Sequence, residues 1–241
     1  MKFRGTGGRG NFLRSLALVV GCGLAWYLGQ MCAVLLPPDS FSVAVIQIAG
    51  KPSLNAPLPK RQKCDHSSPC PVGSFAFRLL SGGGDNNYPT ICFEEVIMKE
   101  GKGNTRAGIN IAAVDAATGK VHSSNSFNMW EGDNAGPLIK FINEIPNNSF
   151  VLMATYDDGS TKLSQEARKE IEKLGSKEIQ QIGFRSSWVF MGAKGFTLPD
   201  GMKNEKFVFF ILQINHSNKE KNRYNGWPAE VQIEGCIPRR Q

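Results

Sequence analysis

Four cysteines downstream of the N-terminal segment carry the chemistry that this sequence shows most clearly; they are Cys64, Cys70, Cys92 and Cys236. An even number of cysteines behind a segment with the composition of a secretion signal indicates disulfides, which persist in oxidising compartments. The pattern therefore predicts a secreted, extracellular protein. Four cysteines allow three pairings, and the sequence alone does not choose among them. Cys64-x-His66 with Cys70 would be a zinc-binding set in a cytosolic protein, but the predicted compartment favours disulfides.

A second set of side chains has the chemistry of a sugar-binding site. Tyr156-Asp157-Asp158-Gly159 places two carboxylates in a turn, and Gly183-Phe184-Arg185-Ser186-Ser187-Trp188 places an arginine beside an aromatic residue. Carboxylates accept hydrogen bonds from hydroxyl groups, and aromatic faces pack against the apolar faces of sugar rings. A carboxylate of this turn and Arg185 therefore form a candidate glycan-binding pair. The structural alternative is an Asp–Arg ion pair with Trp188 in the core.

The aromatic partner of this pair depends on the local backbone. If Arg185 to Trp188 is extended, residues three apart point to opposite faces, and Trp188 would then lie in the core. In that case Tyr156 or Trp130 would have to supply the aromatic wall. The hypothesis therefore depends on Asp157 and Arg185 and leaves the aromatic residue open.

Candidates for catalysis are few. The three histidines lie near no nucleophile signature, and neither a G-x-S-x-G elbow nor an H-E-x-x-H zinc pair occurs in the sequence. Ser81-Gly82-Gly83-Gly84 lacks the Lys-Ser/Thr of a phosphate loop, so it predicts a tight turn. Glu131-Gly132-Asp133-Asn134 lacks the ligand spacing of a complete calcium loop, so it predicts a helix cap. The sequence therefore predicts no enzyme, no cofactor and no metal.

The N-terminal segment has the pattern of a signal peptide. Basic residues precede an apolar run over 16–36; they are Lys2, Arg4, Arg9 and Arg14. Ala33 has the small side chain that cleavage requires, so 1–33 is assigned as a signal peptide, with no stable membrane insertion after cleavage. An uncleaved anchor is the alternative, because the run is close to the roughly 20 residues that span a bilayer.

The remaining chain divides into a proline-rich stalk, 34–63, and a folded domain, 64–241. Lys60-Arg61 near the end of the stalk is either a processing site for a dibasic convertase or a solvated basic pair, and charge runs are usually the latter. The net charge of +7 comes partly from the signal peptide and the C-terminal tail. Without a clustered basic face, nucleic acid is not an expected partner. Asn147 and Asn215 begin N-glycosylation sequons.

The periodicity of the folded region predicts strands in the majority, with helices between some of them. Apolar or alternating runs typical of strands occur at 75–80, 91–98, 109–114, 120–129, 150–156, 188–191 and 230–234. Asp133 or Asn134 can cap one helix, and Ser164 can cap a second that ends at Gly175. This pattern indicates an α+β, β-rich domain.

Several long motifs in one order resemble a known family. They include Pro59-Lys60-Arg61-Gln62-Lys63-Cys64-Asp65-His66, Arg78-Leu79-Leu80-Ser81-Gly82-Gly83-Gly84, Gly108-Ile109-Asn110-Ile111-Ala112, Thr155-Tyr156-Asp157-Asp158-Gly159-Ser160-Thr161, Phe184-Arg185-Ser186-Ser187-Trp188-Val189-Phe190 and Gly235-Cys236-Ile237-Pro238. From about Lys51 to the C-terminus, the chain resembles the secreted cytokine-like proteins called "family with sequence similarity three".

This resemblance implies two packed antiparallel sheets flanked by short helices and tied by two disulfides, Cys64–Cys92 and Cys70–Cys236. The second disulfide would close nearly the whole domain. In the chain-entropy account, this closure contributes roughly 4–5 kcal/mol to stability. The implied function is extracellular signalling through an unknown cell-surface receptor. The alternative is a lectin-like glycan-binding module without catalysis.

The domain is also similar to the stem domain of the protein O-mannose N-acetylglucosaminyltransferase, a sugar-binding and non-catalytic module. That similarity places a sugar-contacting arginine and aspartate on Arg185 and Asp157. Two departures stand out. Most family members have arginine directly before the glycine of Gly-Ile-Asn, whereas this chain reads Arg106-Ala107-Gly108, so Arg106 receives no ligand role. The run Phe207 to Gln213 is predicted to be an insertion, either an extra strand or a mis-joined exon.

Overall fold

The computed structural model describes residues 8–35, 61–84, 86–208 and 229–240, with the side chains of the first range described from 16 to 31. The chain divides into two compact units, Met1–Leu58 and Pro59–Gln241. Most of the predicted stalk, the sequon at Asn215 and the later part of the predicted insertion lie outside the described residues. The assigned boundaries of signal peptide, stalk and domain stay predictions.

The N-terminal unit contains helix α1, Gly8–Leu35, which covers most of the predicted signal peptide. Its described apolar side chains are exposed, among them Leu18, Val19 and Trp26. Over the residues that the structure describes, no helix combines the length and the apolarity needed to cross a membrane.

Within its described residues, the C-terminal unit contains two antiparallel sheets. Over these residues the first sheet has four strands in the order β3-β2-β1-β9, and the second has five in the order β5-β4-β6-β7-β8. The strands are β1 (Ser74–Leu80), β2 (Thr90–Phe93), β3 (Glu95–Met98), β4 (Gly108–Asp115), β5 (Val121–Phe127), β6 (Ser149–Tyr156), β7 (Ser187–Lys194), β8 (Glu205–Val208) and β9 (Gln232–Pro238). The predicted β-rich α+β fold with two antiparallel sheets is confirmed.

The central strands of the five-stranded sheet are buried on both faces, which explains their nearly continuous apolar runs. One face packs against the four-stranded sheet through a core that includes Phe75, Phe77, Phe150 and Met191. The opposite face packs against two helices, α2 (Ala135–Glu144) and α3 (Gln165–Lys173). The C-terminal unit therefore has three layers, with β4, β6 and β7 in the middle layer.

Both predicted helices are present, but only α3 begins with a side-chain cap. Ser164 caps α3 as predicted, because its hydroxyl accepts a hydrogen bond from the Ala167 amide (3.2 Å), and Gly175 follows with φ of 103°. Asn134 occupies the N-cap position of α2 without a side-chain cap bond. Its side-chain amide instead donates to the carbonyl groups of Asn128 and Glu131 (2.8 and 2.9 Å), closing the preceding loop.

The run predicted as one strand over 91–98 is two strands that pair with each other. Glu94 has φ of 59°, and β2 and β3 pair antiparallel with Phe93 opposite Glu95. The Glu94 amide donates to the Ala76 carbonyl (2.8 Å), while the Glu94 carboxylate accepts from the Ala76 amide (2.8 Å) and pairs with Lys63. These tertiary contacts hold a turn that the alternation of side chains does not reveal.

Two disulfides join the segment before β1 to the first sheet. Cys64 is bonded to Cys92 and Cys70 to Cys236, the pairing that the resemblance implies. The Cα atoms in each pair lie 5.6 Å apart, the usual separation for a disulfide. Cys236 lies on β9, which pairs along β1, so the second disulfide crosslinks the start of the domain to its last strand.

Candidate functional site

One end of the five-stranded sheet brings the sequence-predicted residues together. Asp157 directly follows β6, and Arg185 lies two residues before β7. Because β6 and β7 are antiparallel neighbours, the end of one lies beside the start of the other. Trp130 follows β5, which pairs with β4, and β4 pairs with β6. We call the side chains of Trp130, Asp157, Phe184 and Arg185 the strand-end surface.

Asp157 and Arg185 form a direct ion pair at this surface. Arg185 Nε donates a hydrogen bond to Asp157 Oδ1 (3.2 Å). The side chains are 31% and 30% exposed, so the pair is open to solvent and is not sealed in the core. Such pairs contribute about 0–1 kcal/mol to stability, because water screens them and long side chains lose entropy. The ion pair therefore remains available for recognition.

Two exposed aromatic rings lie beside the ion pair. The Arg185 guanidinium carbon lies 4.9 Å from the centre of the Phe184 ring, and the Phe184 and Trp130 ring centres lie 5.7 Å apart. Trp130 is 51% exposed and Phe184 is 43% exposed. Large aromatic side chains of this exposure, next to an arginine, are typical of protein or sugar recognition.

Trp188 lies in the core, although Arg185 lies in a turn with φ of 53° and the extended strand begins only at Ser187. Trp188 is fully buried, stacks on Phe190 and donates through Nε1 to Glu205 (2.8 Å). Tyr156 is 8% exposed, and its ring lies 4.7 Å from that of Tyr88. Of the two alternatives that the sequence offers, Trp130 supplies the exposed wall. Phe184 is the second ring of that wall, and reasoning from the sequence assigns it no role. Its position next to Arg185 in the sequence is the feature that could have identified it.

Asp158 positions the loops that carry the ion pair. It is 1% exposed, and its Oδ1 accepts hydrogen bonds from the Ser160 amide (2.9 Å), the Ser160 hydroxyl (3.0 Å) and the Thr161 amide (3.3 Å). The Arg185 amide also points to this oxygen, at 3.5 Å. One buried carboxylate therefore links the loop after β6 to the loop before β7. The two aspartates of the turn therefore differ: Asp157 lies at the surface, whereas Asp158 is buried and has a structural role.

The space around the pair limits the ligands that fit. The cavity beside Asp157 measures only about 10 Å³ and is lined by Gly82–Gly84, Thr155–Asp157 and Ser186–Ser187. A sugar ring cannot enter that volume, so a ligand would have to lie on the open strand-end surface. There, the aromatic faces and the Asp157 carboxylate offer apolar packing together with hydrogen-bond acceptors.

The remaining predicted sites have separate locations. Asn147 is exposed in the turn between α2 and β6, whereas the sequon serine, Ser149, is buried as the first residue of β6. Of the metal-ligating groups in the described ranges, His66 clusters with the disulfide-bonded Cys70 and Cys236. That cluster lies beside the disulfide and is distinct from the strand-end residues.

Comparisons with known proteins find similarity over most of the sequence. A family profile described as interleukin-like EMT inducer matches residues 107–196. Protein FAM3B of Homo sapiens is 50% identical over 234 residues, covering 95% of this chain and 97% of the relative. Protein FAM3C of Rattus norvegicus is 43% identical (78% and 79% covered), and protein FAM3A of Homo sapiens is 37% identical (95% and 96% covered).

The interleukin-like profile and these relatives place the chain in a cytokine-like class of proteins. The chain belongs to the FAM3 family, the family with sequence similarity three that its motifs predict. Pancreatic-derived factor, the member that those motifs resemble, is FAM3B.

Proposed function

We propose that this chain is a secreted signalling protein that acts on cells through a cell-surface receptor. Membership of a cytokine-like family supports signalling, and two disulfides support an oxidising compartment. The resemblance to pancreatic-derived factor supports pancreatic islet cells as a target, with effects on cell survival and on hormone or glucose regulation. Asn147 and Asn215 are proposed glycosylation sites on the mature chain.

The strand-end surface is the proposed receptor contact, and its exposed aromatic pair is the observation that supports it. Interfaces depend on a few buried aromatic and arginine side chains, and replacing one with alanine often costs more than 2 kcal/mol. Trp130, Phe184 and Arg185 are residues of those types on one contiguous surface. A partner that covers them would remove both rings from water and desolvate the ion pair.

Binding of labelled mature protein to islet cells tests this proposal. Trp130→Ala should weaken binding by about 10-fold or more, because loss of an interface hot spot costs about 2 kcal/mol. Val121→Ala is the control, since Val121 is also exposed and apolar but begins β5, whereas Trp130 follows its end. Equal binding of wild type and Trp130→Ala would reject this surface as the receptor contact.

A glycan-binding module is the second candidate, favoured by the exposed Asp157–Arg185 pair beside two aromatic rings. Isothermal titration with N-acetylglucosamine-bearing glycans should give heat with the wild type and lose it in Arg185→Ala. That substitution should leave the fold intact, because the pair is partly exposed to solvent and such pairs contribute only about 0–1 kcal/mol to stability. Absence of heat with both proteins would reject the glycan hypothesis and leave the receptor proposal standing.

Secretion is tested separately, by expression in secretory cells and N-terminal sequencing. The mature N-terminus is expected close to Val34, because Ala33 precedes it and the proline-rich stalk follows. Full-length protein retained in the membrane fraction would support the uncleaved-anchor alternative instead.

A further inference from the structure

His66 lies beside the Cys70–Cys236 disulfide, and its orientation directs a ring nitrogen with a lone pair, Nδ1, toward Cys70. The residue is 8% exposed, and its Nε2 lies 3.0 Å from the Phe77 carbonyl oxygen. A carbonyl group only accepts hydrogen bonds, so Nε2 must carry the ring proton. In the neutral imidazole, Nδ1 is then unprotonated, and it lies 3.9 Å from Cys70 Sγ.

From this geometry we infer that the reduced form of Cys70–Cys236, together with His66, is a binding site for Zn²⁺. The ligand atoms of the three residues lie within 4.8 Å of one another. In a tetrahedral zinc site with bonds of about 2.0–2.3 Å, ligand atoms lie about 3.3–3.8 Å apart. Reduction breaks the S–S bond and lets the two sulfurs separate to that distance.

The residue types and their surroundings fit a zinc site. Two thiolates and one imidazole are the ligand types that zinc, a borderline-soft ion, prefers. Mg²⁺ and Ca²⁺ instead prefer oxygen ligands. The spacing His66-x₃-Cys70 falls within the range found for zinc ligands in short loops. The bond from His66 Nε2 to a backbone carbonyl is the outer-shell contact that usually orients a ligating histidine.

The fourth coordination position has room for a small ligand. His66 and Cys70 line a cavity of about 330 Å³, which Lys63, Glu94 and Arg239 also line. Three protein ligands with an open position define a site that holds a water molecule or another small ligand on the metal.

Reduction is a thiol–disulfide exchange with a dithiol, such as a thioredoxin-type protein. A thiolate of the reductant attacks Cys70 Sγ, which lines the cavity, and the S–S electron pair leaves with Cys236. The second thiol of the reductant attacks its own sulfur in the mixed disulfide and releases Cys70. The reductant becomes a disulfide, two electrons pass to the cysteine pair, and the protons of the reductant pass to solvent when zinc binds the thiolates.

The other disulfide offers a matched comparison within the same domain. Cys64 and Cys92 belong to no cluster of three metal-ligating side chains within the described ranges. The sulfur of Cys64 lies 3.5 Å from the Ala76 carbonyl oxygen. Reduction of this pair therefore supplies two sulfurs without an aligned imidazole.

Co²⁺, a coloured substitute for Zn²⁺, tests the inference on the full mature chain. The protein is reduced with a phosphine and titrated anaerobically, first with Co²⁺ and then with Zn²⁺. Reduced wild type should develop a thiolate-to-cobalt charge-transfer band that Zn²⁺ abolishes, and oxidised protein should develop none. The double variant Cys64→Ala/Cys92→Ala should retain the band, and Cys70→Ala/Cys236→Ala should lose it.

His66→Gln distinguishes an assembled site from thiols that bind metal in an unfolded chain. Glutamine can still donate to the Phe77 carbonyl but lacks the imidazole nitrogen. Loss of an outer-shell partner costs about 10–100-fold in metal affinity, so loss of this ligand should cost at least as much. Far-ultraviolet circular dichroism of the same samples should show that metal favours the folded state. No band in reduced wild type, or equal affinity in His66→Gln, would overturn the inference.

Discussion

At the residue scale, the backbone of the strand-end surface is as unusual as its side chains. Asp157 and Arg185 have φ of 56° and 53°, in the left-handed region that non-glycine residues rarely adopt. Such conformations cost roughly 1–3 kcal/mol each and persist where surrounding contacts enforce them. Beside them, Asp158 Oδ1 accepts a hydrogen bond from the Ser160 amide (2.9 Å) and lies 3.5 Å from the Arg185 amide nitrogen. The strain and the exposed ion pair coincide, which supports a recognition role.

Some residues of this site are predictable from sequence and others are not. Residue types and the similarity to a sugar-binding stem domain select Asp157 and Arg185, which the structure brings together. Alternation does not account for the buried Trp188, because Arg185 lies in a turn with φ of 53° and is not extended. The contact between Phe184 and Trp130 is not predictable, because it joins loops more than 50 residues apart. The structural role of Asp158 is equally hidden, since adjacent aspartates look alike in a sequence.

Gly108 gives a prediction at this scale. Its φ is +99°, and an added Cβ would lie 2.8 Å from Asn128 Cα and closer still to the Phe127 carbonyl oxygen. Gly108→Ala should lower the free energy of unfolding by about 2–5 kcal/mol, from backbone strain of about 1–2 and overpacking of about 1–3. Denaturant unfolding measures the loss.

Gly103→Ala is the matched control for that measurement. Gly103 also has positive φ, +64°, but an added Cβ would meet nothing within 4 Å. Gly103→Ala should therefore lower the free energy of unfolding only by the contribution of backbone strain, about 1–2 kcal/mol. Equal losses in the two variants would show that steric contact at Gly108 is unimportant.

At the element scale, the sequence predicts strands well and the turn at Glu94 poorly. Continuous apolar runs identify β6 and β7 because both faces of these strands are buried. The hairpin of β4 and β5 follows from Asp115, whose Oδ1 accepts from the Ala117 and Thr118 amides. The break between β2 and β3 depends on Ala76 and Lys63, which lie outside that run of sequence.

Glu94 also gives the turn a dependence on pH. Burial acts to raise the pKa of Glu94, but the hydrogen bonds from Lys63 and Ala76 and the charges of Lys63 and Arg239 together hold that pKa below its ordinary value of 4.5. A folded-state pKa below the unfolded value means that the folded chain binds protons less readily. The stabilisation is therefore complete above the unfolded pKa and is lost as pH falls through the folded value.

Glu94→Gln should therefore be less stable than wild type at pH 7, and the difference should shrink as pH falls below 4.5. Denaturant unfolding of both proteins across this range tests the prediction. Glu95→Gln, one residue along on the exposed start of β3, should follow the wild type. A Glu94→Gln deficit that stayed constant down to low pH would contradict the ionic explanation.

At the scale of the whole molecule, Cys70–Cys236 is the major covalent constraint. It spans 166 residues, against 28 for Cys64–Cys92. In the chain-entropy account these separations correspond to about 5 and about 3.5 kcal/mol. Neither pairing follows from the residues alone, because four cysteines allow three pairings; the family pattern supplies the choice.

Cys236→Ser should therefore reduce secretion and lower the melting temperature by about 10–20 °C, from about 5 kcal/mol at about 2–4 °C per kcal/mol. Pulse labelling of secreted protein and thermal unfolding measure the two effects. Cys92→Ser should have a smaller effect, and Asn147→Gln, which removes a sequon, a smaller one still. Normal secretion and melting of Cys236→Ser would contradict this assignment of stability.

The pairing of β9 with β1 has a consequence for the order of events during synthesis. Every described strand of the five-stranded sheet lies before residue 209, so these strands can pair while the rest of the chain is still being made. The four-stranded sheet cannot assemble at that stage, because its edge strand β9 follows all the described strands of the five-stranded sheet in the sequence. Cys64 can find Cys92 early, whereas Cys70 must wait for Cys236. Until β9 has been made, the edge of β1 that pairs with it is therefore exposed, and folding factors would have to protect that edge from pairing with other chains.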